Sequence, residues 1–173
     1  PHIYFNDKQQ AVETRDFVHR WRLEPKPEDI EKYKRGELVE PAKPIVFYID
    51  PATPAQWREE IKAGVFDWQE AFEAAGFKNA VVAKDAPTDD PDFDIDDARY
   101  SVITYAASQQ ANAMGPSVVD PRSGEIIQAD ILWYHNVVRL LQEWRFIQTA
   151  AADPSVRNKE LSEEVMGELI RYA

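Results

Sequence analysis

A chain of 173 residues with 44% hydrophobic side chains, including five Trp, seven Tyr and eight Phe, is enough for one compact domain with a real core. Its 31 acidic against 20 basic residues leave a formal charge of −11, and no Lys/Arg stripe interleaved with aromatics offsets it, which excludes nucleic acid as a partner. The absence of cysteine excludes disulfides, thiol catalysis and Cys-based zinc sites, and no run of about 18 apolar residues is present to span a membrane.

Residues 1–7 lack a basic start and an apolar stretch, so no signal peptide is expected there. Residues 17–23 alternate with period two: Phe17, His19, Trp21 and Leu23 share one face, and Arg20 and Arg22 point the other way. That pattern predicts a half-buried strand. A polar connector with Pro25, Pro27, Pro41 and Pro44 follows, with a short helix from Pro27 to Lys34 stopped at Gly36. It reads as a linker or a subdomain boundary.

Ile45-Val46-Phe47-Tyr48-Ile49 is a continuous run of strand formers, as expected of a strand covered on both faces. Thr53 then reads as a helix N-cap, with Pro54 at the first helical position and Gln56 completing a capping-box pattern. Trp57, Ile61, Val65, Trp68 and Phe72 recur at spacings of four, four, three and four, which predicts one amphipathic helix ended by Gly76. Residues 80–83 and 101–105 read as further strands, and strand–helix–strand order implies a parallel pair.

Residues 117–119 and 125–133 flank the Pro- and Gly-bearing link 120–124, which predicts adjacent antiparallel strands. Val137, Leu140, Leu141, Trp144, Ile147 and Ala151 mark a second long helix, ended before Pro154. Ser162 is a good N-cap, Glu163 and Glu164 suit the positive helix terminus, and Val165, Met166, Leu169 and Ile170 form an apolar stripe. No Gly, Pro or basic cap follows, so this helix reads as severed. The fold class expected is α/β: a mixed, mostly parallel twisted sheet with an antiparallel edge strand and packed helices.

Chemistry is harder to read. The histidines are His2, His19 and His135, with no two at a ligand spacing such as i, i+4. His135 stands just before a helix, where capping is the expected job. The acidic stretch 89–97 spaces Asp92, Asp94 and Asp96 like the start of a calcium loop, but Asp97 stands where a glycine is needed and Ile103 where a glutamate is. A solvated loop with local capping aspartates is the better reading. No Gly-x-Ser-x-Gly elbow and no Gly-rich phosphate loop occurs. Taken alone, these residues give an α/β domain and no chemistry.

Three blocks carry a resemblance. They are Lys43-Pro44-Ile45-Val46-Phe47-Tyr48-Ile49-Asp50-Pro51-Ala52-Thr53-Pro54 with Trp57 and Ala71-Phe72-Glu73-Ala74-Ala75-Gly76-Phe77; Asp97-Ala98-Arg99-Tyr100-Ser101 with the stretch from Asn112-Ala113-Met114-Gly115-Pro116 to Gly124-Glu125-Ile126; and Gly167-Glu168-Leu169-Ile170-Arg171-Tyr172. Together they resemble a family of large metzincin-type zinc-dependent metalloproteases of Bacteroidetes, typically secreted or lipid-anchored in the envelope.

The resemblance implies that 1–42 is the tail of a preceding domain with its linker, and that 43–173 is the N-terminal part of a zincin-like catalytic domain. In that family the last block runs directly into His-Glu-x-x-His-x-x-Gly-x-x-His. The zinc ligands, the general-base glutamate and the Met-turn would then all lie beyond Ala173, and this chain alone would be inactive.

The family also implies a peptide or protein substrate added as a strand to the cleft's upper rim. Carried onto this sequence, the rim is Ala113, Met114, Gly115, Pro116, Ser117 and Val118. Gly115-Pro116 reads equally as the start of an edge strand whose proline blocks aggregation. Self-association through an exposed cleft or edge strand is a further expectation. The competing readings are a non-catalytic binding or assembly module of a secreted or envelope protein, and a self-contained hydrolase using Asp/Glu residues.

Overall fold

The computed structural model describes residues 2–157 and 161–173; Pro1, within the segment read for a leader, lies outside them. Strands β1 (His2–Tyr4) and β2 (Glu13–Arg15) form a small antiparallel ribbon. The strand expected over 17–23 is not formed. Only Arg20 pairs, in a single bridge to Glu125: its N–H donates to the Gly124 carbonyl (3.0 Å) and its carbonyl accepts from Ile126 (2.8 Å). The segment it meets is leaving a tight turn, so one residue alone finds a ladder partner. The alternation survives in part, with Phe17, Trp21 and Leu23 half-buried, whereas His19 is exposed. A 3-10 turn (Pro27–Asp29) leads into α1 (Ile30–Lys34), as the sequence predicts. Val39, Phe77 and Ala80 are buried together, with Leu23, Tyr33 and Phe72 packed on them.

The apolar run becomes β3 (Ile45–Ile49). It is followed by α2 (Ala55–Asp67), α3 (Gln69–Ala74), β4 (Val81–Asp85), β5 (Ser101–Ala106), β6 (Ala113–Met114), β7 (Ser117–Val119), β8 (Ile126–Ala129) and β9 (Ile131–Tyr134). The main sheet has the order β4-β3-β5-β9-β6, parallel throughout except for β6, which runs antiparallel to β9 at one edge. This is the mixed, mostly parallel sheet expected.

The run 125–133 divides into two strands in two different sheets. Asp130 makes the step: its side chain accepts the Val102 N–H and its own N–H donates to the Pro116 carbonyl, both at 3.0 Å. On one side of it β8 pairs with β7 as a separate hairpin; on the other β9 enters the main sheet. The hairpin turn requires Gly124, whose φ of 77° lies in the left-handed region and whose missing Cβ leaves room for the Val18 carbonyl.

One face of the main sheet holds Phe47, Ile49, Ile103, Tyr105, Ile131 and Trp133, and the central core forms where helices cover it. From α2 comes Ile61; α4 (Val137–Thr149) contributes Val137; α5 (Glu163–Arg171) contributes Met166 and Ile170.

Three expectations about the helices need correction. Thr53 does not cap α2: its N–H donates to the Asp50 carbonyl (2.9 Å), its side chain turns inward and is fully buried, and Pro54 takes the N-cap position without a side-chain bond. Arg58 binds the free carbonyls instead, donating to Thr53 (2.9 Å) and Pro51 (2.7 Å). The single helix expected from 53 to 75 is broken at Trp68, which ends α2 and starts α3; the break turns that ring outward, 68% exposed, off the buried stripe. Finally, Trp144 and Ile147 in the second half of α4 stand exposed although the stripe places them inward. Helix α5 starts as read, with Ser162 Oγ accepting from the Val165 N–H (3.3 Å), and it runs to Arg171 with Tyr172 in the C-cap position.

Candidate functional site

The sheet face is not covered everywhere. Between α2, the last turn of α5 and the strands lies an open cleft of about 710 Å³. Its walls are apolar and aromatic, with Phe47, Ile103, Ile131 and Trp133 from the sheet and Val65 and Ile170 from the helices. Pockets of this size and character are the usual place for a ligand or a buried chain segment. Period-two alternation explains the wall: residues 45, 47 and 49 of β3 face this side, as do 103 of β5 and 131 and 133 of β9.

The charged side chains in the lining, Asp67 and Arg171, satisfy each other. Arg171 donates through Nε (2.7 Å) and Nη2 (2.5 Å) to the two carboxylate oxygens. That fork holds the Asp67 carboxyl below the usual carboxylate range and raises the guanidinium pKa. Nothing local in the sequence marks these two residues, which lie 104 positions apart.

The six residues taken for the rim fall in two places. Ala113 and Met114 form β6, paired with Trp133 and Leu132 at the edge of the main sheet. Ala113 also lines the cleft. Gly115 and Pro116 leave the sheet, and Ser117 and Val118 belong to the separate hairpin, opposite Ala129 and Gln128. All six are exposed. The Ala113 N–H donates to Asn112 Oδ1 (2.9 Å).

At the carboxyl ends of the parallel strands, Tyr105 Oη and His135 Nδ1 lie 2.6 Å apart, with the rings edge to face. Burial pushes the Tyr105 phenol pKa up. His135 does not cap α4, as expected of it; Asn136 holds that position and turns its side chain to the Gln109 carbonyl (2.9 Å). His135 therefore ties the end of β9 to β5, where its backbone N–H also donates to Ala106 (2.9 Å).

In the acidic loop, Asp90, Asp94 and Asp97 each accept the amide two residues on, so these carboxylates cap their own turns. Arg99 pairs with Asp97, and Phe93 and Tyr100 close over Tyr48. Among the described residues no three His, Cys, Asp or Glu side chains converge on one point. The described part of this chain therefore does not by itself fit the zinc ion that the resemblance implies.

Scans against protein-family models, curated proteins and solved structures returned no match to this chain.

Proposed function

We propose that this chain is the N-terminal part of the catalytic domain of a metzincin-type zinc-dependent metalloendopeptidase, and that it supplies the substrate-holding sheet edge while the metal ligands lie on a continuation of α5. The observation that carries this reading is the order of elements along the chain. Strand, helix, strand, strand, antiparallel strand, strand and closing helix is the sequence of elements the resemblance implies. The chain has β3, α2 with α3, β4, β5, antiparallel β6, the β7–β8 hairpin, β9 and then the two helices α4 and α5. A second support is the cleft, which the last turn of α5 adjoins.

On this reading the role of the described residues is to bind and orient. An extended peptide laid along β6 takes its backbone hydrogen bonds from the sheet edge, so affinity does not depend on side-chain identity. Apolar substrate side chains meet Ala113 and Trp133 beneath it. No chemical step is assigned to residues of this chain, and zinc belongs to the longer protein. The protein so described acts on peptides or proteins in the cell envelope or outside the cell.

The test has two arms. Residues following Ala173 should carry His-Glu-x-x-His in helical continuity with α5, and their absence from the natural protein ends the proposal. The longer protein should bind one zinc ion and cleave unstructured peptides, losing cleavage on chelation and regaining it with added zinc. Residues 1–173 alone should show no cleavage.

A second reading has one observation in its favour: Trp144, Phe146 and Ile147 stand exposed on α4, as on a non-catalytic binding or assembly module. Loss of a reproducible protein partner on Trp144→Ala and Ile147→Ser, with no peptidase activity in the longer protein, would favour it.

A further inference from the structure

Helices α2 and α5 meet along a seam that has no bulky side chains at its centre. On α2 the contact ridge is Glu60, Gly64 and Asp67; on α5 it is Gly167 and Arg171. A Cβ at Gly64 would collide with the Arg171 carbonyl oxygen, and one at Gly167 would stand 3.1 Å from the Glu60 carboxyl. The Arg171 carbonyl therefore approaches the α2 backbone at Gly64 more closely than a Cβ there would permit. Beside this contact the Arg171 fork closes on both oxygens of Asp67. A bidentate pair fixes direction as well as distance, unlike a point charge.

We infer that Gly64 and the Asp67–Arg171 pair are positioning residues, setting the line along which α5 leaves the sheet and hence the placing of catalytic groups carried further along that helix. The inference rests on the peptidase reading above. Arg171 is in the last turn of α5, and both partners line the cleft. A small error in helix direction here grows with every turn beyond it, at about 5.4 Å of travel per turn. Ile170 and Met166 anchor the helix in the core, and the seam fixes it against α2.

The experiment uses the full-length protein. Asp67→Arg and Arg171→Asp are made singly and together, with Gly64→Ala and Arg171→Lys alongside. kcat and KM are measured on one peptide, and hydrogen exchange is followed over 163–171. Misplacement of about 1 Å can cost on the order of a hundredfold in rate, so the single variants should lose roughly ten- to hundredfold in kcat with KM little changed. The double swap should recover most of that loss, and Arg171→Lys should fall between.

Both partners are more than a third exposed, and exposed pairs contribute little to global stability, so folded variants are expected. If one does not fold, Arg171→Lys decides alone. Unchanged kcat in Arg171→Lys and Gly64→Ala, or a double swap no better than the singles, overturns the inference and leaves the peptidase reading intact. A wild-type protein that cleaves no peptide overturns both.

Discussion

Helices α4 and α5 carry comparable apolar stripes in sequence, yet α5 seats Met166 and Ile170 in the core while α4 leaves Trp144 54% and Ile147 75% exposed. Periodicity identifies the face a helix offers and not the surface available to receive it. Helix α5 lies against α2 and over the sheet, where Ile49, Ile103 and Trp133 await it. Helix α4 follows β9 directly, so Val137, Leu140 and Leu141 in its first half reach the core while Trp144 and Ile147 further along do not.

The sharpest way to break this contrast is truncation of matched side chains. Ile170→Ala should destabilise the chain by about 2–5 kcal/mol, because the residue is buried in the central core. Ile147→Ala should change stability by about 0.5 kcal/mol or less. Urea denaturation at equilibrium measures both, and equal losses would mean that the end of α4 is covered.

A smaller effect is expected at the helix starts. Ser162→Ala removes the one side-chain cap on α5 and should cost about 1 kcal/mol, seen as faster amide exchange over 163–166. Helix α4 has no such bond to lose, so Asn136→Ala should leave its first turn unaffected. An equal response at the two helices would count against the capping account.

The smallest effect is with pH. The Asp67 carboxyl is held below its ordinary value by hydrogen bonds from Arg171. A carboxyl with a depressed folded-state pKa binds its proton more readily in the unfolded chain. Its contribution is therefore complete above the ordinary value of about 4 and is lost as pH falls through the lower folded value. Exchange over 167–171, corrected for the intrinsic rate, should accelerate there relative to α4. High salt should shrink the difference, as it does for exposed pairs. Parallel acceleration in both helices would remove Asp67 from the explanation.

Much of the fold was legible in the chain. The uninterrupted Ile45–Ile49 run, the Gly76 stop and the Ser162 cap each have a local physical cause, and each is found where the sequence places it. What the sequence could not show depends on partners far along the chain. The stretch 17–23 has a strand's alternation but meets only one pairing residue. Residues 125–133 have no turn residue between β8 and β9, and their division rests on Asp130 bonding Val102 and Pro116.

The candidate site was less visible still. A mixed sheet with an antiparallel edge strand was readable, but the proposed rim 113–118 divides at Gly115-Pro116 between sheet and hairpin. The cleft itself arises from residues that, in sequence, are simply core formers. Trp68 was assigned to the buried stripe because spacing counts continue through a break that only the fold reveals.

The single-residue step at Asp130 leaves no slack between the two sheets. The hairpin strand β8 ends at Ala129, and β9 begins at Ile131, which with Trp133 walls the cleft. The outer hairpin and the inner wall are thus joined along the chain through Asp130 alone, which bonds Val102 and Pro116.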